Sequence, residues 1–446
     1  MTYPIYKLLV CLFFFNISSA QGVFEIDEGE DKFDLSFQSI YNFVIIPIEL
    51  NGVELSFLLD TGVESSIIFS LDKKDSLDIK NATDIKIRGW GDNGVFSAIK
   101  STGNTVRIGS ASHSNFTIHI VYGHQINLSN RLGLPIHGII GYDFFKDFVV
   151  EFNYIKRELI AHNTDNYVYD KCRRCDDLDF VLYRNKPYLK VLVNVNKDVT
   201  IPMDFLIDSG SGDALWIFED PNLEIKVPDK NFDDFLGFGM GGSVYGKRAR
   251  IDNIKLGKFQ LDEVTASFPD SLYFEGVKTY ESRNGSLGSQ ILKRFHSTFD
   301  YKNKRLRLKP NRNFSNSFEY DMSGIVLAHK GYTVVQDFEN NSSEVFNEIE
   351  YEYTDAGMFF HKSYSKVKFK LEPQYEVVEI TPNSPAALAG LKIGDLIETI
   401  NKKPAYKYEL FEMNKVFSSK EGKTVKMKIK RNVAYINIQF KLKRML

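Results

Sequence analysis

Two short stretches of the chain place an aspartate where it could act on a substrate. Asp60 and Asp208 each follow an apolar run and precede a small hydroxyl residue and a glycine. The apolar runs predict buried strands, and the glycines predict sharp turns where those strands end. Each carboxyl group should therefore lie at the edge of a core, held in place and partly shielded from water.

Two such carboxyl groups in matching contexts favour a paired-acid catalyst over two unrelated turn residues. If they face each other, both cannot ionise cheaply, so the pair holds one proton between them. The ionised member can act as general base on a water molecule, and the protonated member can stabilise charge that develops on a carbonyl. This chemistry requires no metal ion and no cofactor, and the eight histidines show no spacing typical of a metal site.

The similarity between the two halves of the chain extends well beyond the aspartates. Asp60 and Asp208 are 148 residues apart, and the Gly-Trp-Gly at 89–91 recurs at the same offset as Gly-Phe-Gly at 237–239. The Ile-Ile-Gly at 139–141 is followed in the second half by Ser-Leu-Gly at 286–288. Landmarks in one order and at nearly one offset predict two copies of a domain of roughly 140 residues.

With these motifs the chain resembles the aspartic proteases of the pepsin and retropepsin kind, over about residues 35–310. The resemblance implies that Asp60 and Asp208 are the catalytic pair and that a strand crosses beneath each of them, at 139–141 and 287–288. It also implies that two hydroxyl groups, those of Thr61 and Ser209, link the catalytic loops by hydrogen bonds to backbone. The supporting residues of the two loops are then Thr61, Gly62, Ser209, Gly210 and Ser211.

By the same resemblance, the glycine turns at 89–94 and 237–242 match the tips of flaps that cover a cleft. A flap in each half is more like a fused retropepsin dimer than like pepsin, which has a single flap. The expected flap residues are Trp90, Gly91, Phe238 and Gly239. Trp90 could cover a bound substrate or pack on the sheet. A glycine-rich run can also cradle phosphate, but strand-like sequence follows the second turn, which favours a hairpin.

The two halves differ directly after the catalytic triplets. Val63 follows the first triplet, where pepsin-like enzymes carry a serine, whereas Ser211 follows the second, and Ser286 replaces an apolar residue of the second crossing strand. A hydroxyl donor beside a carboxylate favours its ionised form. We therefore predict that Asp208 is more often the ionised partner and that Ser211 supplies the hydroxyl.

The C-terminal part has a different pattern. Ser384 followed by Pro385 predicts the start of a helix, and Gly390 predicts its end. The run from Ser384 to 395 resembles a PDZ domain, which implies peptide binding at a sheet edge beside the predicted helix at 406–418. By resemblance, the carboxylate-binding loop comprises Ser323, Gly324 and Ile325, which requires an insertion at about 336–371, or else it lies at 356–359.

The start of the chain and its cysteines suggest export. Within residues 1–20, Lys7 precedes an apolar run at 8–15 and small residues at 18–20, the pattern of a signal peptide. The run is too short to span a bilayer, and we expect no integral membrane segment. Cys172 and Cys175 lie between the two repeats, where they could form a local disulfide or stay reduced. A periplasmic or extracellular bacterial protein is the expectation.

Length and composition complete the prediction. The 446 residues allow about three domains, and a net charge of −2 argues against nucleic acid as a partner. We predict a mainly β chain: a signal peptide at 1–20, two duplicated retropepsin-like β-barrel lobes at 21–165 and 166–315, and an α+β PDZ domain at 316–446.

The predicted function is that of an aspartic endopeptidase, which hydrolyses a peptide or protein and recognises a protein C-terminal tail at its PDZ domain. The alternative is a non-catalytic adaptor that binds peptides in the protease-like cleft and the PDZ groove. Two intact acidic loops favour the enzyme, because a pure binder has no need of paired acids that are costly to bury.

Overall fold

The computed structural model describes residues 22–71, 76–88, 95–121, 129, 133, 136–195, 199–239, 242–274, 280–337, 350–353, 359–362 and 368–446. The predicted signal peptide at 1–20 lies outside this described part. So do the first flap tip, with Trp90 and Gly91, and most of the alternative PDZ loop at 356–359.

The first lobe consists of β-strands and one short helix. These elements are β1 (Glu25–Ile26), β2 (Lys32–Ser36), β3 (Gln38–Ile40), β4 (Phe43–Leu50), β5 (Val53–Leu59), β6 (Ile67–Ile68), β7 (Thr83–Arg88), β8 (Val95–Ile108), β9 (Ala111–Val121), β10 (Gly138–Ile140), α1 (Tyr142–Phe145), β11 (Phe148–Asn153) and β12 (Glu158–Asn163). One sheet has the order β1-β9-β6-β10-β5-β4-β8-β7, with β3 beside β4. A further pairing of β8 with β9 curls this sheet towards a barrel.

The hairpin of β4 and β5 carries the first aspartate, and local sequence explains it. Asn51 and Gly52 both have positive φ, 49° and 86°, which is the geometry of a tight two-residue hairpin turn. From Ile46 to Leu50 the residues of β4 alternate between buried and exposed, so one face of this stretch packs into the core. β5 then runs parallel to β10, with Leu59 opposite Ile140, so that β10 crosses beside the loop in which Asp60 lies.

The second lobe repeats this plan. Its elements are β13 (Asp176–Asp179), β14 (Val181–Tyr183), β15 (Lys186–Asn194), β16 (Thr200–Asp208), β17 (Leu215–Ile217), β18 (Asn231–Gly239), β19 (Gly242–Leu256), β20 (Phe259–Pro269), β21 (Arg283–Gly288), α2 (Ser289–Leu292), β22 (Phe295–Asp300) and β23 (Arg305–Pro310), with single 3-10 turns at Pro221–Leu223 and Ser271–Tyr273. The sheet order is β14-β15-β16-β21-β17-β20-β19-β18. β16 runs parallel to β21, and Asp208 lies opposite Gly288.

A third sheet joins the two lobes. Its order is β13-β23-β22-β11-β12-β2, so three strands come from each lobe and β11 meets β22 at the centre. Aromatic rings from both lobes pack together behind it, and Phe145 lies 5.8 Å from Phe299 between ring centroids. The linker between the lobes carries a disulfide between Cys172 and Cys175. This shared sheet holds the two aspartate loops against each other.

The C-terminal unit has its own sheet and core. Its elements are β24 (Ile325–Asp337), β25 (Glu350–Tyr353), β26 (Phe359–Lys362), β27 (Lys368–Ile380), α3 (Pro385–Leu388), β28 (Leu396–Ile400), β29 (Lys403–Pro404), α4 (Leu410–Phe417), β30 (Thr424–Arg431) and β31 (Ala434–Lys441), with a 3-10 turn at Ala405–Lys407. The sheet order is β24-β27-β28-β30-β31, with β29 beside β28. β24 and β27 pair as far as Asp337 and Lys368, and the small hairpin of β25 and β26 lies between them in sequence.

The helix expected at 406–418 is shorter in the structure. α4 begins at Leu410, because Glu409 and Glu412 form a capping box that fixes the start of the helix there. Leu410, Met413 and Phe417 are buried, which is the spacing of one helix face. α3 matches its prediction: Ser384 caps it and Pro385 occupies its first turn. No helix in the described part of the chain combines the length and the apolar character needed to cross a membrane.

Candidate active site

The two aspartate loops are braced against each other by four reciprocal hydrogen bonds. The Thr61 N–H donates to Ser209 Oγ at 2.9 Å, and the Ser209 N–H donates to Thr61 Oγ1 at 3.0 Å. The two hydroxyl groups then donate across the seam, from Thr61 to the carbonyl of Ile207 at 2.7 Å and from Ser209 to that of Leu59 at 2.9 Å. Thr61 and Ser209 are both buried, so these bonds fix the register between the two loops.

The glycines let both carboxyl groups approach the backbone of the opposite loop. The N–H of Gly62 donates to Asp60 Oδ1 at 2.7 Å, and the N–H of Gly210 reaches the same oxygen at 3.2 Å from the other lobe. A Cβ atom on Gly210 would overlap Asp60 Oδ2. A Cβ atom on Gly62 would lie 3.2 Å from Asp60 Oδ1 and 3.2 Å from Asp208 Oδ1. The structure therefore brings Asp60 and Asp208 together over the two glycines.

Two residues that the sequence interpretation missed support the loops from behind. The Tyr301 hydroxyl donates to the carbonyl of Thr61 at 3.2 Å, and Ser289 Oγ donates to the carbonyl of Ser209 at 2.9 Å. Tyr301 belongs to an aligned aromatic motif, Phe-x-Tyr at 152–154 and 299–301, and that repeat was the available signal for its role. Ser289 gave no comparable signal.

Burial raises the pKa of both carboxyl groups of the pair. Asp60 is 7% exposed, whereas Asp208 is partly exposed towards the cleft. Burial, and then the negative charge of Asp208, raise the pKa of Asp60 to about 7. Burial also raises the pKa of Asp208, but Arg283, a hydrogen bond from Ser286 and Lys186 all oppose that rise. These influences favour the proton on Asp60 and the negative charge on Asp208.

The Ser286 hydroxyl is one of the groups that act on Asp208, whereas the role expected for the Ser211 hydroxyl stays a prediction. Arg283 is 4% exposed, and its Nη2 donates to Ser286 Oγ at 2.7 Å. The charge of Arg283, and then the Ser286 hydroxyl, favour the ionised form of Asp208 and hold its pKa below the value that burial alone would give. Ser211 instead braces the loop through its backbone, since its carbonyl accepts the N–H of Ser289 at 2.8 Å. Ser286, the residue that departs from the apolar pattern of the crossing strand, was the visible signal.

Lys186 adds a second cation near the pair. It is the first residue of β15 and lines the same cavity as Asp60, Asp208 and Arg283. Burial lowers the pKa of Lys186, and the charge of Arg283 lowers it further, while the nearby carboxylates oppose this change. Both cations favour an ionised carboxylate in the cleft.

The pair lies in a cavity of about 920 Å³ that is also lined by the second flap hairpin. Phe238 and Gly239 lie at the end of β18, next to the turn into β19, and both line the cavity. Beneath the hairpin, Arg248 binds Asp234 at 2.7 Å and Asp213 at 3.2 Å. Burial opposes the charge of Arg248, but the two carboxylates outweigh it and hold its pKa above the ordinary value. The tip of the first flap, with Trp90 and Gly91, lies outside the described residues.

The loop expected to bind the C-terminal carboxylate of a peptide instead binds a side-chain carboxylate of the protein itself, that of Asp321. Asp321 Oδ1 accepts the N–H groups of Ser323 at 2.8 Å and Gly324 at 2.7 Å, and the Ser323 hydroxyl at 2.7 Å. Ser323 Oγ in turn accepts the N–H of Ile325 at 3.1 Å. Burial raises the pKa of Asp321 to about 6. An aspartate two residues before the loop is a signal for such a turn, and the sequence interpretation did not use it.

Among the described residues, no group of three or more His, Cys, Asp or Glu side chains is arranged to hold a metal ion. The polar groups that act on the carboxyl pair include the backbone N–H groups of Gly62 and Gly210 and the side chains of Arg283, Ser286 and Lys186.

Comparison with known proteins agrees with the two kinds of domain. The family model described as aspartyl protease matches residues 46–144, and that described as PDZ domain matches residues 355–442. A solved aspartic proteinase from Irpex lacteus is similar at 14% sequence identity, with a TM-score of 0.43 over 64% of this chain and 99% of that chain. None of the curated proteins matches the chain.

The chain thus combines an aspartyl protease-like β fold with a C-terminal PDZ domain.

Proposed function

We propose that this protein is an aspartic endopeptidase in which Asp208 is the general base and Asp60 the general acid. The observation that carries the proposal is the buried carboxyl pair, which two hydroxyl-braced loops hold together over Gly62 and Gly210. Such a pair keeps one proton near neutral pH, and an aspartic hydrolase needs one ionised and one protonated carboxyl group.

The ionised Asp208 takes a proton from a water molecule while the oxygen of that water attacks the carbonyl carbon of the substrate. Asp60 gives its proton to the carbonyl oxygen, so that a neutral tetrahedral intermediate forms. When the C–N bond breaks, the proton held by Asp208 passes to the leaving amine, and a hydroxyl proton of the intermediate returns to Asp60. The products are one carboxyl and one amino terminus, and the pair returns to its starting state.

The rest of the cleft suits an extended chain. The β18–β19 hairpin presents Phe238 and Gly239 towards the cavity, and hairpin backbone can pair with a substrate strand. Closure of the hairpin would exclude water during the reaction. The expected role of the flap residues, including Trp90 and Gly91 in the first half, is part of this proposal.

We also propose that the protein is exported. Residues 1–20 have the sequence pattern of a signal peptide, and the disulfide between Cys172 and Cys175 is a bond that persists in oxidising compartments. A precursor and a mature form that differ by about 20 residues in a whole-cell fractionation would support this proposal. A full-length protein retained in the cytosol would oppose it.

The enzymatic proposal is tested with Asp60→Asn and Asp208→Asn, each of which keeps the shape of the side chain but removes the titrating acid. Asp229→Asn, at an exposed position in the second lobe, is the matched control. The proteins are incubated with a peptide library between acidic and neutral pH. We expect cleavage by the wild type and the control and at least about a thousandfold loss in each active-site variant, a fall of ~4 kcal/mol in transition-state stabilisation.

Circular dichroism of each variant checks that the fold is retained. Cleavage that survives in both variants would refute the proposal. Library peptides that bind the wild type without being cut would instead support the peptide-binding adaptor.

A further inference from the structure

We propose that a substrate chain bound at the carboxyl pair continues along the outer edge of β24, where its backbone adds a strand to the PDZ sheet. The added strand is an internal segment of the substrate and is not anchored by a C-terminal carboxylate. This inference rests on the proposed function, because it assigns the second half of the substrate path to that same site.

The first support is that the two places belong to one cavity. The cavity of about 920 Å³ that contains Asp60 and Asp208 is also lined by residues 324–327, at the start of β24, and by Asn414 and Ser418 on α4. A polypeptide can therefore pass from the carboxyl pair to β24 without leaving the cavity. A separate peptide bound on β24 would occupy space that opens directly onto the cleft.

The second support is the position of β24 in its sheet. It is the end strand in the order β24-β27-β28-β30-β31, so within the described part of the chain its outer edge has no strand beside it. α4 lies along this edge and is joined to the preceding loop, since the N–H of Met322 donates to the carbonyl of Phe417 at 3.2 Å. An exposed strand edge flanked by a helix is a site for strand addition, because its backbone groups can pair with an extended chain.

The third support is that the loop before β24 has no free site for the C-terminal carboxylate of a peptide. A terminal carboxylate would need the N–H groups of Ser323 and Gly324, and the Asp321 carboxylate already accepts both. The two like charges would also repel each other at close range in a partly buried site. The end of the groove therefore lacks an anchor for a chain terminus, whereas the edge of β24 remains suited to any extended backbone.

The tip of the β3–β4 hairpin connects the two halves of the path. Tyr41 Oη accepts a hydrogen bond from Asn414 Nδ2 at 3.1 Å, so the turn reaches α4. In the same turn, Asn42 Nδ2 donates to the carbonyl of Gly212 at 2.7 Å, two residues after Gly210. Tyr41 and Asn42 line the cavity. The β3–β4 turn thus forms a wall of the cavity that runs from the loop of the carboxyl pair to α4 of the PDZ domain.

The test uses β-casein as the probe protein. A bond that the wild type cuts in denatured β-casein is identified, and two peptides are made around it. The short peptide has about three residues on each side of that bond, and the long peptide adds about eight residues on each side, which span ~26 Å as a strand. The long peptide is made with a free acid and with an amide at its C-terminus.

We expect kcat/KM for the long peptide to exceed that for the short one by about tenfold, equivalent to ~1.4 kcal/mol. The acid and the amide should be cut equally well. Val326→Glu, in the cavity, should remove most of the advantage of the long peptide. Val433→Glu, at the exposed turn between β30 and β31, should retain it. Ser418→Trp on α4 and its exposed neighbour Ser419→Trp form a second matched pair.

Binding gives a readout that does not depend on hydrolysis. Fluorescein-labelled β-casein is titrated with the Asp60→Asn, Asp208→Asn double variant, alone and combined with Val326→Glu or Val433→Glu. If Val326→Glu weakens binding and the control substitution does not, the result supports the proposed substrate path along β24. This holds even if the wild type cuts nothing, in which case only the proposed function fails. Equal cleavage of short and long peptides, or at least a tenfold preference for the free acid, would overturn the inference while leaving the hydrolase intact.

Discussion

Ser286 and Arg283 make the two members of the carboxyl pair unequal. The buried Arg283 donates to Ser286, and both groups hold the pKa of Asp208 below the value that burial alone would give. Asp60 instead receives the backbone N–H groups of Gly62 and Gly210. The sequence interpretation expected Asp208 to be the ionised member. The sequence interpretation did not assign this role to Ser286, which lies on β21 and favours the charged form of Asp208.

The first prediction concerns this donor. Ser286→Ala should move the acidic limb of the kcat/KM profile to higher pH by about one unit, because Asp208 loses a hydrogen bond that favours its charged form. The profile is measured with a peptide cut by the wild type. Ser114→Ala, an exposed serine on β9, serves as the control. A larger shift from Ser211→Ala than from Ser286→Ala would contradict the assignment.

The second prediction concerns the proton on Asp60. The pKa of Asp60 is raised to about 7, so Asp60 stays protonated below that pH and loses its proton above it. Because the mechanism requires the protonated form, kcat/KM should fall on the alkaline side with an apparent pKa of about 7. A rate profile of the wild type between pH 4 and pH 9, at about constant ionic strength, measures this limb. Activity that stays constant up to pH 9 would exclude Asp60 as the acid.

At the scale of elements, matched hairpins bring the two loops to one place. Asp60 directly follows β5 and Asp208 ends β16, and each of these strands runs parallel to a crossing strand, β10 or β21. The hairpin of β4 and β5 could be predicted to the residue, because Asn51-Gly52 between apolar runs is a local turn signal. The four hydrogen bonds between the loops were implied by family resemblance alone, since their partners are about 148 residues apart.

The third prediction tests this brace. Thr61→Val keeps the shape of the side chain but removes the hydroxyl, which leaves the carbonyl of Ile207 and the N–H of Ser209 buried without their partner. We expect a loss of about 2–4 kcal/mol in the free energy of unfolding. Urea denaturation measures it, with Thr83→Val at an exposed position of β7 as the control. An equal effect of the two substitutions would show that the brace adds nothing to stability.

At the scale of the whole molecule, the PDZ domain is attached to the protease-like lobes by polar contacts near the cavity. Thr381 Oγ1 donates to Asp234 Oδ1 at 2.8 Å, and the same aspartate binds Arg248 beneath the flap hairpin. The Tyr245 hydroxyl, on β19 of that hairpin, donates to Glu379 Oε1 at 2.8 Å. The flap hairpin and the PDZ sheet therefore share side-chain contacts, and the position of one constrains that of the other.

The fourth prediction concerns this junction. Thr381→Val combined with Tyr245→Phe removes two hydroxyl donors, each worth about 1 kcal/mol, and should loosen the PDZ domain from the second lobe. Hydrogen exchange of the backbone amides in β18 and β27 should rise by about tenfold, which corresponds to ~1.4 kcal/mol. Tyr435→Phe, at a side chain that is 58% exposed on β31, is the control. Unchanged exchange in both strands would show that other contacts hold the junction.

The sequence by itself determined the features that arise from neighbouring residues: the two aspartate turns, the Asn51-Gly52 hairpin and the Ser384 start of α3. These follow from side-chain period and turn chemistry, which act over a few residues. Only the tertiary structure decided that Arg283 and Ser286 share the cavity with Asp208 and that the PDZ edge opens into the cleft. Such contacts join segments far apart in the chain, and their geometry depends on the packing of whole sheets, which no local pattern encodes.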